Sequence, residues 1–194
     1  AVLGRVDVAL VGPVADADDT RLRDELRVRG ARLVDARQGM TGAVGDLVWR
    51  ALWPPERSVE PGNPASVALL VTPGDACVSC MSALLLGDLD EAAQQRLRGA
   101  HRVPRVDVLK VAHHGSADFS AVLYADAAAS VGLIGVGADN GYGHPSEAAL
   151  AALAASGTAA FRTDLDGLIL VAPPGEPGAP PRVWTARGEV GGAR

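Results

Sequence analysis

Two adjacent histidines are the clearest candidates for chemistry in this chain. His113 and His114 follow an apolar run, residues 106–112, and precede Gly115 and Ser116. Neutral imidazole is a preferred ligand of Zn, Mn and Fe, so the pair predicts a metal site at the mouth of a buried strand. Neighbouring side chains point in opposite directions in extended backbone, so we expect only one of them to bind metal directly. A pair of hydrogen-bonded loop histidines is the alternative.

A second candidate is the aspartate that ends another apolar run. Asp88 follows residues 84–87, three leucines and a glycine. A carboxylate in this position is expected at the edge of a sheet, where it could serve as a metal ligand or a base. The position also suits an N-cap of the helix that begins near Asp90. The spacing alone leaves both roles open.

The third candidate is a glycine-rich loop, residues 137–145, which carries Tyr142 and His144 and follows the apolar run 131–136. Taken alone, the loop is typical of a turn. However, three of the four histidines and one aspartate now follow neighbouring strand-like runs. Such convergence is less expected of turns than of a functional site.

Alternating helices and strands must position these segments. From residue 90 onwards, apolar runs alternate with helical patterns, which predicts α/β layering with buried strands. The expected helices cover residues 20–30, 91–98, 121–129 and 147–155. The expected strands cover residues 6–11, 31–36, 47–52, 65–72, 79–86, 106–112, 131–136, 159–162 and 168–171. Residues 73–75, Pro-Gly-Asp, predict a hairpin turn.

Composition limits the class of protein. The chain has 194 residues with 23 acidic and 18 basic side chains, a net charge of -5, which argues against a basic nucleic-acid coat. No undiluted apolar stretch of about 20 residues predicts a membrane-spanning helix. We expect one domain over residues 1–172, with the Pro/Gly-rich residues 173–194 as linker and tail. The chain starts without Met and enters a strand at once, which suggests a piece of a longer protein.

In order and spacing, several motifs resemble the metallo-β-lactamase-like domain at the C-terminus of the ComEC family of DNA-uptake competence proteins. The resemblance covers residues 1–172 and rests on Asn63, Leu85-Leu86-Gly87-Asp88, His113-His114-Gly115-Ser116, Tyr142-Gly143-His144-Pro145 and Arg162-Thr163-Asp164 with Asp166-Gly167. It implies a metallo-β-lactamase-type αβ/βα sandwich that is incomplete at its N-terminus. It also implies a metal-dependent phosphodiesterase that degrades one strand of incoming DNA.

The resemblance assigns roles to particular residues. Asp88 and His113 would be metal ligands, and His114 would join them in catalysis, with Mn or Zn as the divalent metal and two ions in the complete domain. The residues expected to bind substrate are Asn63, Ser66, Ser116, Tyr142 and His144. The expected partners are DNA, the membrane-channel region of the same parent chain and other DNA-uptake proteins. The domain is expected on the extracellular or periplasmic side of a bacterial multi-pass membrane protein.

Two departures from the family pattern limit this interpretation. The family's main metal motif, His-x-His-x-Asp-His, is absent and would stand before Ala1, so we expect this chain to be inactive alone. The acidic segment Asp16-Ala17-Asp18-Asp19 contains no histidine and predicts a loop and helix cap. Ser146 replaces the second histidine of the family's Tyr-Gly-His-Pro-His-Pro loop.

Other functions remain open on the sequence. A generic metallo-β-lactamase-fold hydrolase would act on small esters, and a metal-free binding or structural module would have lost the chemistry. A dinucleotide-binding protein is excluded because Asn140 stands at the third glycine position of its fingerprint. Cys77 and Cys80 form a lone C-x-x-C, which is half a zinc ribbon, a redox motif or a local disulfide. For an outward-facing domain we expect a disulfide or two inert thiols.

Overall fold

A computed structural model describes residues 5–56, 59–77, 79–176 and 178–188, in which strands and helices alternate over much of the chain. The helices are α1 (Ala17–Val28), α2 (Glu91–Ala100), α3 (Ala121–Ala127), α4 (Glu147–Ala155) and α5 (Thr163–Asp166). The strands are β1 (Val8–Val11), β2 (Arg32–Asp35), β3 (Thr41–Val44), β4 (Leu47–Trp53), β5 (Ala68–Pro73), β6 (Ala83–Leu85), β7 (Val108–Lys110), β8 (Val131–Ile134), β9 (Ala159–Arg162), β10 (Ile169–Ala172) and β11 (Arg182–Thr185). Two 3₁₀ turns cover Asn63–Ala65 and Ala112–Gly115.

Seven strands form a mixed central sheet in the order β3-β4-β5-β6-β7-β8-β9. Neighbours from β3 to β6 are antiparallel, which includes the predicted β5–β6 hairpin, and neighbours from β6 to β9 are parallel. Two further pairs, β1 with β2 and β10 with β11, stand as separate two-stranded sheets. The predicted α/β sandwich is confirmed. Because β6 to β9 are parallel, their carboxyl ends meet at one edge, called here the carboxyl edge.

The core forms where the parallel strands meet the helices that connect them. Fully buried side chains come from both kinds of element: Leu84, Leu109 and Ile134 from the strands, and Leu97, Leu123 and Leu153 from the helices. Each contributes about 1.5–3 kcal/mol by leaving water. Buried Gln94 ties α2 to the start of α3, since its amide bonds the Leu89 carbonyl at 2.7 Å and the Ser120 N–H at 3.0 Å.

Side-chain caps fix where the helices begin. Asp16 accepts hydrogen bonds from the first turn of α1, as its loop-and-cap interpretation predicted. Asp90 accepts from the Ala93 N–H at 2.7 Å and caps α2. The cap of α2 is therefore Asp90, and Asp88 is left free for another role.

Two strands lie outside the predicted set. In β3, the ring of Trp49 fills the space that a Cβ on Gly42 would need, so position 42 requires glycine. Glycine weakens the local signal for a strand, which is why the pattern did not predict β3. Strand β11 pairs with β10 in a segment expected to be a tail, because the backbone after the Pro/Gly-rich stretch turns back onto β10. The domain boundary after residue 172 stays a prediction.

Cys77 and Cys80 form a disulfide, one of the states that the sequence left open. It lies in the β5–β6 connection, which is outside the carboxyl edge of the parallel strands.

Within the described residues, no helix combines the length and apolar character that crossing a membrane requires.

Candidate functional site

Three polar segments meet at the carboxyl edge. Asp88 follows β6, the His113–His114 turn follows β7, and the loop of residues 137–145 follows β8. Oδ2 of Asp88 lies 3.5 Å from Nε2 of His114. The ring of His113 lies 6.4 Å from that of His114 and 5.6 Å from that of His144, measured between centroids. The structure thus brings together the four side chains that the strand ends were expected to gather.

The carboxylate of Asp88 is oriented by its neighbours. Gly87 has a φ of +57°, and a Cβ there would lie 2.8 Å from the Cβ of Ser66, so the turn requires glycine. Ser66 Oγ accepts the Asp88 N–H at 3.1 Å. Lys110 Nζ donates to the Gly87 carbonyl at 2.6 Å and to Asp88 Oδ1 at 3.2 Å. One carboxylate oxygen is held by the lysine, and the other faces His114.

His114 presents one particular ring nitrogen to Asp88. Its Nδ1 contacts the Gly135 carbonyl, which can only accept, so Nδ1 carries a proton and donates it. Nε2 of a neutral His114 is then an acceptor that faces a carboxylate oxygen, and two facing acceptors need a proton or a cation between them. Histidines that bind metals commonly donate their second nitrogen to a backbone carbonyl in this way.

The histidine turn is left-handed, so the extended backbone expected here was wrong. His113 has a φ of +46° and His114 a φ of +54°. Left-handed backbone costs a non-glycine residue about 1–2 kcal/mol, and such strain concentrates at functional sites. The turn places His114, rather than the predicted ligand His113, beside Asp88.

His113 faces the other side of the site. Its Nε2 lies 3.2 Å from Nδ2 of Asn63, while its buried Nδ1 has no hydrogen-bond partner among the described residues. The ring meets His144 edge-on, with an interplanar angle of 62°. Desolvation, together with the charges of His113 and His114, holds the pKa of His144 below its ordinary value. The lowered pKa favours the neutral ring of His144, which can accept a hydrogen bond.

The loop that carries His144 is fixed at both ends. The Asn140 amide donates to the His144 carbonyl at 2.9 Å and accepts the His144 N–H at 3.2 Å. Thr163 Oγ1 bonds the N–H and the carbonyl of Val136, both at 2.7 Å, and so ties the start of the loop to the first residue of α5. Tyr142 projects from the loop with 87% of its surface exposed.

The two serines predicted to bind substrate make hydrogen bonds within the protein. Ser66 holds the Asp88 backbone, as described above. Ser116 is buried, and its Oγ accepts the Asp118 N–H at 3.2 Å. Both support the backbone of the site, and their role in substrate binding stays a prediction.

Two cavities of different character adjoin the Asp88–His114 pair. The acidic cavity, of about 420 Å³, has polar lining residues that include Asp16, Asp19, Asn63, Ser66 and Asp88. The aromatic cavity, of about 310 Å³, is lined by His114, Gly135, Val136, Gly137, Asn140, Tyr142 and His144. Asp88 lines the first and His114 lines the second, and their side chains approach to 3.5 Å.

The donor set of this edge falls short of a complete metal site. Across the described parts of the chain, no three side chains from His, Cys, Asp and Glu converge closely enough to hold an ion. Asp88 and His114 supply two donors, whereas zinc in proteins takes about four. Lys110 meanwhile places its ammonium group on Asp88 Oδ1.

Sequence reasoning missed two residues that shape the site. Lys110 is the only lysine in the chain and lies at the end of β7. Its position at a strand end is a signal that could have identified it as a residue of the site. Thr163 belongs to the Arg-Thr-Asp motif, but its bonds to Val136, two residues after β8, depend on the pairing of β8 with β9, which spacing does not reveal.

Comparison with known proteins gives a distant similarity. The sequence matches no known family model. Over 159 residues it is 27% identical to ComE operon protein 3 of Bacillus subtilis (strain 168), an alignment that covers 81% of this chain and 20% of that protein. The chain therefore spans about a fifth of the length of this curated relative.

Proposed function

We propose that the chain forms part of a metal-dependent phosphodiesterase domain that degrades one strand of DNA during DNA uptake. The observation that carries the proposal is the contact of 3.5 Å between Asp88 Oδ2 and His114 Nε2 at the carboxyl edge. The ComEC motifs and the similarity to ComE operon protein 3 support the assignment to DNA uptake. On this proposal, the mixed sheet belongs to a metallo-β-lactamase-type domain.

The proposal gives Asp88 and His114 the role of ligands to a divalent ion, Mn²⁺ or Zn²⁺. When bound, such an ion would polarise a phosphate oxygen and lower the pKa of bound water. The proposal requires further ligands, because no group of three donors converges among the described residues. Asn63, His113 and His144 supply polar groups around the pair, which suit the orientation of a phosphodiester.

An outward-facing location is part of the proposal. Disulfides persist in oxidising compartments and are rare in the cytosol, so the Cys77–Cys80 bond favours the extracellular or periplasmic side. The proposed partners are DNA, the membrane-channel region of a parent chain and other DNA-uptake proteins.

A cleavage assay tests the proposal in the full natural protein in which this sequence occurs. The substrates are end-labelled single-stranded and duplex oligonucleotides, with Mn²⁺ or Zn²⁺ added. We expect Asp88→Asn and His114→Gln each to lower kcat/KM by about 100-fold or more, the effect of removing a group at the reacting centre. His113→Gln measured beside His114→Gln decides which histidine binds the ion.

The control is Arg102→Gln, at the opposite edge of the sheet, which should keep the wild-type rate. Intact DNA after incubation with the metal-loaded wild-type protein would overturn the proposal. An Asp88→Asn variant that cuts at the wild-type rate would do the same.

A metal-free binding module is the second candidate, and the Lys110–Asp88 ion pair favours it. Lys110 neutralises Asp88 at 3.2 Å without any metal. Metal analysis of the purified full natural protein separates the two. Less than one equivalent of bound transition metal after dialysis against Zn²⁺ would favour the binding module.

A further inference from the structure

The aromatic cavity beside His114 holds the exposed ring of Tyr142, one of the residues that the sequence resemblance assigns to substrate binding. Tyr142 is 87% exposed, although a tyrosine side chain offers a large apolar area for burial. Its ring lies nearly parallel to that of His144, with an interplanar angle of 16° and centroids 6.1 Å apart. Two flat rings with the same orientation therefore line one cavity, and the outer one presents its surface to solvent.

The rest of this cavity suits a flat, uncharged group. Gly135 and Gly137 leave open space, since a Cβ on either would meet nothing within 4 Å. Of the described residues that line it, none carries a carboxylate, ammonium or guanidinium group. A phosphate has no ionic partner there, whereas a planar ring can stack on the aromatic surface.

The position of the cavity connects it to the site. His114 lines it, and the same ring faces Asp88 through Nε2. A nucleotide whose phosphate lies at the Asp88–His114 pair would therefore place a neighbouring base at the ring of Tyr142.

We propose that Tyr142 stacks on an unpaired base of the nucleic-acid strand bound at the Asp88–His114 pair, and so selects single-stranded or frayed DNA. The inference rests on the proposed function, because it takes the phosphate position from that site. Base faces inside a duplex are covered by their neighbours, so one exposed ring reaches only a terminal, unpaired or flipped base. Stacking tolerates every base, so the selection is for strandedness and not for sequence.

The experiment measures binding and cleavage separately in the full natural protein. The probes are a fluorescent single-stranded oligonucleotide, its blunt duplex and an abasic oligonucleotide of equal length. Binding is read from fluorescence anisotropy without added metal. We expect the wild type to bind the single strand more tightly than the abasic strand, and Tyr142→Ala to lower that preference by about 5- to 150-fold.

Three control variants make the result specific. Tyr142→Phe and Tyr142→Trp keep a ring and should keep the preference. Trp184→Ala removes another exposed aromatic side chain, one that lines neither cavity, and should leave the preference unchanged. Because Tyr142 is mostly exposed, its variants should fold, and circular dichroism verifies this.

The outcomes separate this inference from the proposed function. Equal affinity of the wild type for the single and abasic strands, or an unchanged preference in Tyr142→Ala, overturns stacking even if DNA is cut. A Tyr142-dependent preference in a protein that cuts no DNA upholds stacking and overturns the nuclease.

Discussion

The two edges of the parallel strands differ in size and in chemistry. The amino edge carries the larger cavity, about 640 Å³, lined by Arg98, Arg102 and Arg105 among others. Two of its groups have partners within the protein: Arg98 bonds Asp126 at 2.5 Å, and His101 Nε2 lies 3.2 Å from a backbone carbonyl. The carboxyl edge has smaller cavities, but there a carboxylate oxygen of Asp88 and an imidazole nitrogen of His114, both partly exposed, face each other. On the proposed function, the direction of the parallel strands is therefore a better guide to the reactive site than the size of a cavity.

The largest expected effect concerns whether Asp88 and His114 act as one unit. Asp88→Asn and His114→Gln should each cost about 100-fold in metal-dependent cleavage by the full natural protein, and the double variant should be little worse, since the second change finds the unit already broken. The measurement is kcat/KM for all three. Multiplied losses in the double variant would show that the two side chains act independently.

A smaller effect is expected when a glycine at each edge is replaced by alanine and the change in the free energy of unfolding is compared. A Cβ on Gly115 would lie 2.5 Å from the Cβ of Pro145, and its φ is +80°, so Gly115→Ala should destabilise the chain by about 1–3 kcal/mol. Gly99, in α2 at the amino edge, has open space around it, and Gly99→Ala should stabilise by about 0.5–1 kcal/mol. Urea unfolding measures both changes. Equal shifts would show that the carboxyl edge is no more constrained than the amino edge.

The smallest effect compares one ion pair from each edge. Arg162 donates two hydrogen bonds to Asp164, whose side chain is 10% exposed, whereas Asp126 in the Arg98 pair is 35% exposed. The hydrogen bonds from Arg162 hold the pKa of Asp164 below its ordinary value. Asp164→Asn should therefore cost about 1–2 kcal/mol at pH 7. Asp126→Asn should cost less than about 0.5 kcal/mol.

The sign of the pH dependence follows from that lowered pKa. A carboxyl group that ionises more readily in the folded state stabilises the fold above its unfolded pKa, about 4, and this stabilisation is lost as the pH falls below that value. Asp164→Asn should thus narrow the difference between unfolding free energies at pH 7 and pH 3. The same difference in the variant and the wild type would contradict this assignment.

The sequence predicted most accurately the helices and strands that have a clear apolar pattern. Helix α4 and strand β9 begin and end at the predicted residues, because each combines an uninterrupted apolar pattern with a clear boundary, such as Ser146 before α4. Strands β3 and β11 contain no apolar run longer than two residues. Each of these strands forms by pairing with another strand, β3 with β4 and β11 with β10, and the local sequence pattern does not reveal such pairing.

The candidate site was predictable in its members but not in its geometry. The rule that loops converge after parallel strands placed Asp88, His113, His114 and His144 together. Which histidine faces Asp88 depends on a left-handed turn that His-His-Gly permits but does not dictate. The lysine on Asp88 Oδ1 likewise follows from strand register, which pairs Leu85 with Lys110.

The central claim is that Asp88 and His114 form the reactive pair, and a zinc titration of the chain tests it most directly. The titration is monitored through the nitrogen-15 resonances of the four histidine rings. If Asp88 and His114 form the reactive pair, Nε2 of His114 should respond at a lower zinc concentration than any nitrogen of His101, and Asp88→Asn should abolish that early response. A response of His101 before His114, or a His114 response that survives Asp88→Asn, would contradict the assignment of chemistry to the carboxyl edge.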